Sequence, residues 1–338
     1  MDSLTHIALG ACIGEVFFGK KLGRKVMLWG AFAQSAPDVD FIAATWLDPS
    51  ANLLAHRGFT HSILFGLLIS VFLALTAEKW HRPHDIGLKK WLVFFMTEIF
   101  VHLFLDGMNS YGIGWFEPFS HQRISLNLIF VVDPFFSIWP GLAVIGAAWL
   151  HIARPLRRQL AWTGIALSFA YLAYCAVNKI NIQRQMIAIS RAKGLPDNKI
   201  LTTPTPMNNW LWYVVVGTDS GYYTGYRSVF DRKADQSLVF FPTNEHLLDS
   251  LRDRDEVKNL LRFAHGYYTV EASGDTVAFN ILRFGQVAGW YNPRAGFAFH
   301  YYLTGAHDNL MVIQRGRFNG WNKASVQAMM DRISGKSQ

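Results

Sequence analysis

Apolar residues gather in long runs over the first half of the chain and alternate with polar ones over the second. Four runs approach the about 20 residues that cross a bilayer: Ile63–Ala77, Trp91–Leu105 with its flanks, Phe135–Ile152 and Leu160–Val177. Two shorter runs, Ile7–Phe18 and Val26–Ala36, are joined by the basic stretch Gly19–Lys25. They read as short spans packed closely, because Gly10 and Gly14 stand four apart and let backbones approach. Beyond Asn178 the period changes. Trp210–Gly217, Tyr222–Asp231, Ser237–Phe241, Gly266–Ala272, Thr276–Phe284, Phe297–Leu303 and Leu310–Arg315 read as strands, rich in Val, Phe and Tyr and bounded by Gly, Asn, Asp or Pro. Glu245–Ala264 and Asn322–Ile333 read as helices. The expected architecture is an α-helical polytopic membrane domain of about four to six spans over residues 1–178, followed by an α+β extracytoplasmic domain over residues 179–338.

Charge gives these runs a direction. Charged residues make up 17% of the chain, against roughly 25% in soluble domains, and the deficit sits in the apolar half. Lys20, Lys21, Arg24 and Lys25 lie in one loop, Lys79, Arg82, Lys89 and Lys90 in a second, and Arg154, Arg157 and Arg158 in a third. The alternate loops carry only Arg57 and Arg123. Positive charge marks the cytoplasmic side, so a six-span reading puts both termini outside. The net charge of +8 is therefore read as topology, and no nucleic-acid partner is expected. Cys12 and Cys175 lie inside apolar runs with no CxxC partner and read as packing residues. The opening Met1-Asp2-Ser3 has no basic n-region and no cleavage site, so the first helix is expected to stay in the mature protein.

Ionisable groups at membrane depth are expensive and mark function by default. They cluster near the non-basic side. Asp2 and His6 share a helix face, with Asp2 equally suited to capping that helix. Asp38 and Asp40 follow Pro37 at a helix end, where a single Asx turn would need only one of them. His56, Arg57, Thr60, His61 and Ser62 form a dense packet before an apolar run. Glu98, His102 and Asp106 make one polar stripe at i, i+4 and i+8, so His102 and Asp106 suit two ligands of one ion and Glu98 suits orienting His102. Asp133 before Pro134 is a turn-former or a further site group. His81, His84, His151, His265 and His300 read as structural.

The opening MDSLTHIALGA, the PDVD segment, HRGFTHS and the HxxxD helix together resemble a bacterial family of inner-membrane-associated, metal-dependent hydrolases, also labelled LexA-binding. The resemblance covers about residues 1–135. It implies a place in the bacterial inner membrane, metal binding and hydrolysis. It carries the ligand role onto His6, Asp38, His56, His61, His102 and Asp106, while the loop charges put the motif face and the C-terminal domain on the extracytoplasmic side.

The expectation is a metal-dependent hydrolase whose ion is divalent, zinc foremost, with room for two. Asp38, Asp40, Arg57 and Glu98 are the expected catalytic groups. A site at the bilayer surface suits an amphiphilic or lipid-linked substrate, and Arg57 and Arg123 would meet an anionic phosphate head. The rival readings are a proton or metal-ion transporter, whose site should lie near the midplane, and a metal-held membrane scaffold.

Overall fold

The computed structural model describes residues 1–81, 86–152, 154–232, 237–274, 276–303 and 321–336. The chain divides into two compact units, one of Met1–Trp46 and Ala55–Cys175, the other of Leu47–Leu54 and Ala176–Gln338.

The first unit is helical. Helix α1 (Ser3–Leu22) starts at Asp2, whose carboxylate accepts the Thr5 N–H, and α2 (Arg24–Ser35) follows after Gly23 at φ 62°. A Cβ on Gly10 would strike the Gly30 carbonyl, and one on Gly30 would strike the Gly10 carbonyl. The two backbones therefore touch, as the small-residue spacing led us to expect. A 3-10 helix (Pro37–Thr45) and a 3-10 turn (Phe59–His61) follow, and the short helix α3 (Pro49–Ala55) between them in sequence belongs almost wholly to the second unit. Ser62 then caps α4 (Ile63–Trp80) by accepting the Phe65 N–H. Helices α5 (Leu88–Asp106), α6 (Pro134–Trp149) and α7 (Leu156–Ala192) follow. Asp133 caps α6, accepting from Phe135 and Phe136, which is the turn-forming role. The core gathers Leu9, Val26, Trp91, Phe94, Phe95 and Phe136.

Helix α4 shows two faces. Gly66, Ser70, Leu73, Ala74 and Ala77 are buried, and a Cβ on Gly66 would meet Leu103 and Ile99 of α5 at 3.1 and 3.2 Å. Leu67, Leu68, Val71, Phe72 and Leu75 are exposed on the other face. A wholly apolar exposed stripe is what a helix presents to lipid. Among the described residues two helices, α4 and α7, are long and apolar enough to cross a membrane, against the four to six expected. At 12 and 16 residues, α2 and α6 are shorter than the about 20 that a span needs.

The second unit contains an antiparallel sheet in the order β1 (Ile200–Pro204), β2 (Leu211–Gly217), β3 (Gly221–Ser228), β4 (Val239–Pro242). A second sheet holds β5 (Tyr268–Ser273), β6 (Thr276–Ile281) and β7 (His300–Tyr302). Strand β2 is buried on both faces. Trp212, Val214 and Val216 pack on Ile182, Met186 and Ile189 of α7, while Leu211, Tyr213 and Val215 face a core with Leu201, Leu282 and Trp290. The expected helix Glu245–Ala264 is two pieces, a 3-10 turn (Glu245–Leu248) and α8 (Asp255–Ala264). Asn322 caps the closing helix Lys323–Ile333 through a capping box with Ser325. The expected strand Leu310–Arg315, together with Arg82 and His84, lies outside the described residues.

Candidate metal centre

Helices α4 and α5 pack side by side. Their connection runs from the C-terminal end of α4 to the N-terminal end of α5, so His61, just before α4, meets His102 and Asp106 in the last turns of α5. The 3-10 helix after α2 adds Asp38. These four residues each bring one ligand atom within 4.8 Å of the others. From His61 Nε2, the distances are 3.2 Å to His102 Nε2, 3.3 Å to Asp38 Oδ1 and 3.4 Å to Asp106 Oδ2. His102 Nε2 lies 3.6 Å from Asp106 Oδ2 and 3.8 Å from Asp38 Oδ1. Tetrahedral ligands at zinc-like bond lengths stand roughly 3.3 Å apart, so the four donors fit one small cation.

The ring protons sharpen the point. His102 Nδ1 lies 2.6 Å from the Gln34 carbonyl, which can only accept, so that nitrogen carries the proton and Nε2 presents a lone pair. His61 Nδ1 lies 3.0 Å from Thr60 Oγ1 and 3.3 Å from Asp40 Oδ2, which places its proton there and its lone pair on Nε2. Two imidazole lone pairs and two carboxylates thus point at one volume. Acceptors alone repel, and a cation among them removes the repulsion.

The other expected ligands stand outside this group. His6 is fully buried and lies against His102, with ring centroids 4.0 Å apart and the planes tilted by 30°. Its Nε2 lies 3.2 Å from Asp106 Oδ1, and Nδ1 lies 3.1 Å from Gln34 Oε1. The Met1 amine contacts the same Asp106 oxygen. His56, with its side chain 40% exposed, bonds Asp40 Oδ1 through Nδ1 at 3.1 Å. Asp40 also accepts the Arg57 backbone N–H at 2.7 Å and the Thr60 hydroxyl at 3.2 Å. It serves the ligand His61 from behind and is absent from the four-residue group.

The expectations for Arg57, Arg123 and Glu98 meet a different geometry. Arg57 is buried at φ 59°. Its guanidinium lies 3.1 Å from Asp106 Oδ2, donates to Asn109 Oδ1 at 2.9 Å and stands over the Tyr111 ring. Arg123 is likewise buried, donating to the carbonyls of His56 and Gly112. Neither is presented to a phosphate head, because the fold spends both on holding loops and Asp106. Glu98 does not orient His102. Its carboxylate is fully buried, with neither oxygen hydrogen-bonded, and Oε1 lies where a Cβ on Gly30 would come within 2.7 Å. Gln34 holds His102 instead, and its side-chain amide donates to the Glu98 carbonyl at 2.8 Å. Gln34 was not singled out from the sequence, although a lone amide in the apolar α2 is the same signal that flagged Glu98.

Burial would push Asp38 and Asp40 up, but their neighbours prevail. In the metal-free site, a proton on His61 Nε2 gives Asp38 a hydrogen bond that, with the charges of His102 and His61, brings it down to about 2. Hydrogen bonds from His56 and His61 hold Asp40 well below the carboxylate range. Burial, aided by Arg57 and opposed by Asp40, lowers His56 from the usual imidazole value. Both acids are thus charged at neutral pH, the form that binds a cation.

Residues 1–182 match the family of the YdjM inner membrane protein. Inner membrane protein YbcI of Escherichia coli (strain K12) is 26% identical over 159 residues, covering 46% of this chain and 84% of the relative. Uncharacterized protein YfhP of Bacillus subtilis (strain 168) is 28% identical over 232 residues, covering 67% of this chain and 68% of the relative. No solved structure matches. The family's name and that of YbcI speak of an inner membrane, and none of the names speaks of a reaction.

Proposed function

This chain belongs to the YdjM inner membrane protein family, and on that footing we propose that it is a membrane-bound, metal-dependent hydrolase. The observation that carries the metal is the convergence of two imidazole lone pairs and two carboxylates on one volume. A divalent cation held there supplies Lewis acidity and activates water at neutral pH. Zinc suits the mixed nitrogen and oxygen donors and their tetrahedral spacing.

Four protein ligands would make a closed, structural site, whereas catalytic sites keep a position open. The burial of the donors favours the open reading. His61, His102 and Asp106 are fully buried, and Asp38 is 24% exposed. Asp38 also stands 3.8 Å from His102, farther than His61, His102 and Asp106 stand from one another. Asp38 is the donor that yields to water or substrate, leaving two histidines and one aspartate as the constant set. His56 lies at the exposed side, oriented by Asp40, and is positioned to move a proton to solvent. Arg57 holds Asp106 and offsets its charge. Lys79, Lys89 and Lys90 beyond one end of α4, against Arg57 alone beside the other, support an orientation with the motif side outside.

The test is purification in detergent, metal analysis, and a panel of aryl esters and phosphoesters. Wild type should hold one divalent ion per chain and hydrolyse part of the panel, and His102→Ala should lose both. Asp38→Ala should keep most of the ion and lose hydrolysis. Loss of the ion with Asp38 and no hydrolysis by a fully loaded wild type would establish the structural-metal reading instead.

A further inference from the structure

The short segments that carry the site's polar residues also carry large exposed hydrophobic ones. The 3-10 helix Pro37–Thr45 turns Asp38 and Asp40 inward and leaves Val39, Phe41 and Ile42 exposed at 44, 69 and 41%. Trp46, which ends it, is 68% exposed. The Phe59–His61 turn buries His61 and exposes Phe59. Phe116 is exposed next to Trp115, whose carbonyl receives the N–H of Ile63, the first residue of α4. Leaving a large apolar side chain in water forgoes about 1.5–3 kcal/mol, so six such residues on the segments that carry the site call for a cover.

The cover can be identified from continuity. Phe59 meets Phe65 edge to face at 5.8 Å, and Phe65 lies in the first turn of the helix whose outer stripe runs through Leu68, Phe72 and Leu75. That stripe belongs to one of the two helices fit to cross a membrane. With 18 residues α4 rises roughly 27 Å, close to the hydrocarbon thickness of about 30 Å. His61 and Asp38 therefore sit at the level where acyl chains meet head groups, and aromatic residues favour that level.

The geometry points to a metal centre whose mouth is bedded in the bilayer surface by Val39, Phe41, Ile42, Trp46, Phe59 and Phe116, and which takes an amphiphilic lipid as substrate, its acyl chains on these residues and its polar head at Asp38. The inference deepens the hydrolase reading and rests on it for the word substrate, while the bedding stands on its own. Recognition here comes from the apolar collar, since Arg57 and Arg123 are committed elsewhere, so the head group need not be anionic.

The experiment uses full-length protein in vesicles of phosphatidylcholine and phosphatidylglycerol, doped with a phosphatidylcholine bearing a photoreactive acyl chain. After irradiation, adducts should appear in peptides covering residues 37–46 and 59–65, and Phe41→Glu combined with Phe59→Glu should lower them several-fold while the metal content stays at the wild-type level. Phe41→Cys carrying an environment-sensitive fluorophore should be quenched by lipids spin-labelled near the head group, and Tyr291→Cys, exposed in the second unit, should not. The buried native cysteines Cys12 and Cys175 do not compete for the label. Adducts confined to α4 and α7, with Phe41→Cys unquenched, would overturn the bedding and leave the metal centre standing. Protein without bound metal but with adducts at residues 37–46 would sink the hydrolase reading alone.

Discussion

The carboxylate of Asp40 lies 3.3 Å from Nδ1 of His61, behind the ring, while Nε2 of the same ring faces the three other donors of the metal group. Asp40 thus fixes which nitrogen of His61 is free. Partners of this kind typically govern 10–100-fold in metal affinity. Asp40→Ala should therefore weaken zinc binding by about that factor without abolishing it, whereas His61→Ala should abolish it. Competition against a chromophoric chelator reads both. An Asp40→Ala affinity equal to wild type would remove Asp40 from the site's design.

Arg57 combines a left-handed backbone with a buried guanidinium, and the two contributions can be separated. Its φ of 59° strains any side chain but glycine. Arg57→Gly and Arg57→Ala both lose the contacts to Asp106 and Asn109, yet only the alanine keeps the strain. The glycine variant should be the more stable by about 1 kcal/mol, measured as the difference in thermal or denaturant unfolding in detergent. An alanine variant as stable as the glycine one would show that the loop relaxes.

Contact between α1 and α2 predicts a large response to a small change. A methyl group on Gly30 meets the Gly10 carbonyl and the Glu98 carboxylate. Gly30→Ala should destabilise the protein by about 1–3 kcal/mol, the usual cost of overpacking. It should also lower metal occupancy, because Gln34 and His6 are carried on the same two helices. Ala31→Gly, the neighbouring control, should leave occupancy unchanged. Equal metal content in Gly30→Ala and wild type would uncouple the helix contact from the site.

Acid should expose the part that Asp38 plays in the metal-free protein. Its folded value of about 2 lies below the ordinary 3.8. The stabilisation it contributes is present above the ordinary value and is lost as pH falls through the folded one. Between pH 4 and pH 2 the thermal midpoint of metal-free wild type should therefore fall further than that of Asp38→Asn, whose side chain does not titrate. Parallel falls would mean that the His61 contact is absent in solution.

Much of the helical unit could be read from the sequence because lipid-facing helices are long apolar runs with few breaks. Helix α7 was underestimated, as Leu160–Val177 against Leu156–Ala192, because its second half turns amphipathic where Ile182 and Met186 pack on a sheet. Strand β1 was missed since Thr202, Thr203 and Pro204 lack the Val and aromatic content of its neighbours. At the site, composition showed which residues gather but could not rank them. Asp38 and Asp40 look equivalent two residues apart, yet a 3-10 helix has about three residues per turn, so they face different partners. Which histidine nitrogen is free depends on acceptors such as the Gln34 carbonyl, 68 residues from His102, and no local pattern records that.

The four donors are spread along the chain, from Asp38 through His61 to His102 and Asp106. During synthesis a nascent chain ending before α5 has only two of them, too few to hold an ion against water. On the proposed reading, metal capture would wait until α5 has settled beside α4. The ion would then act as an inspector of biogenesis: a chain whose α4 and α5 fail to pair would never acquire it.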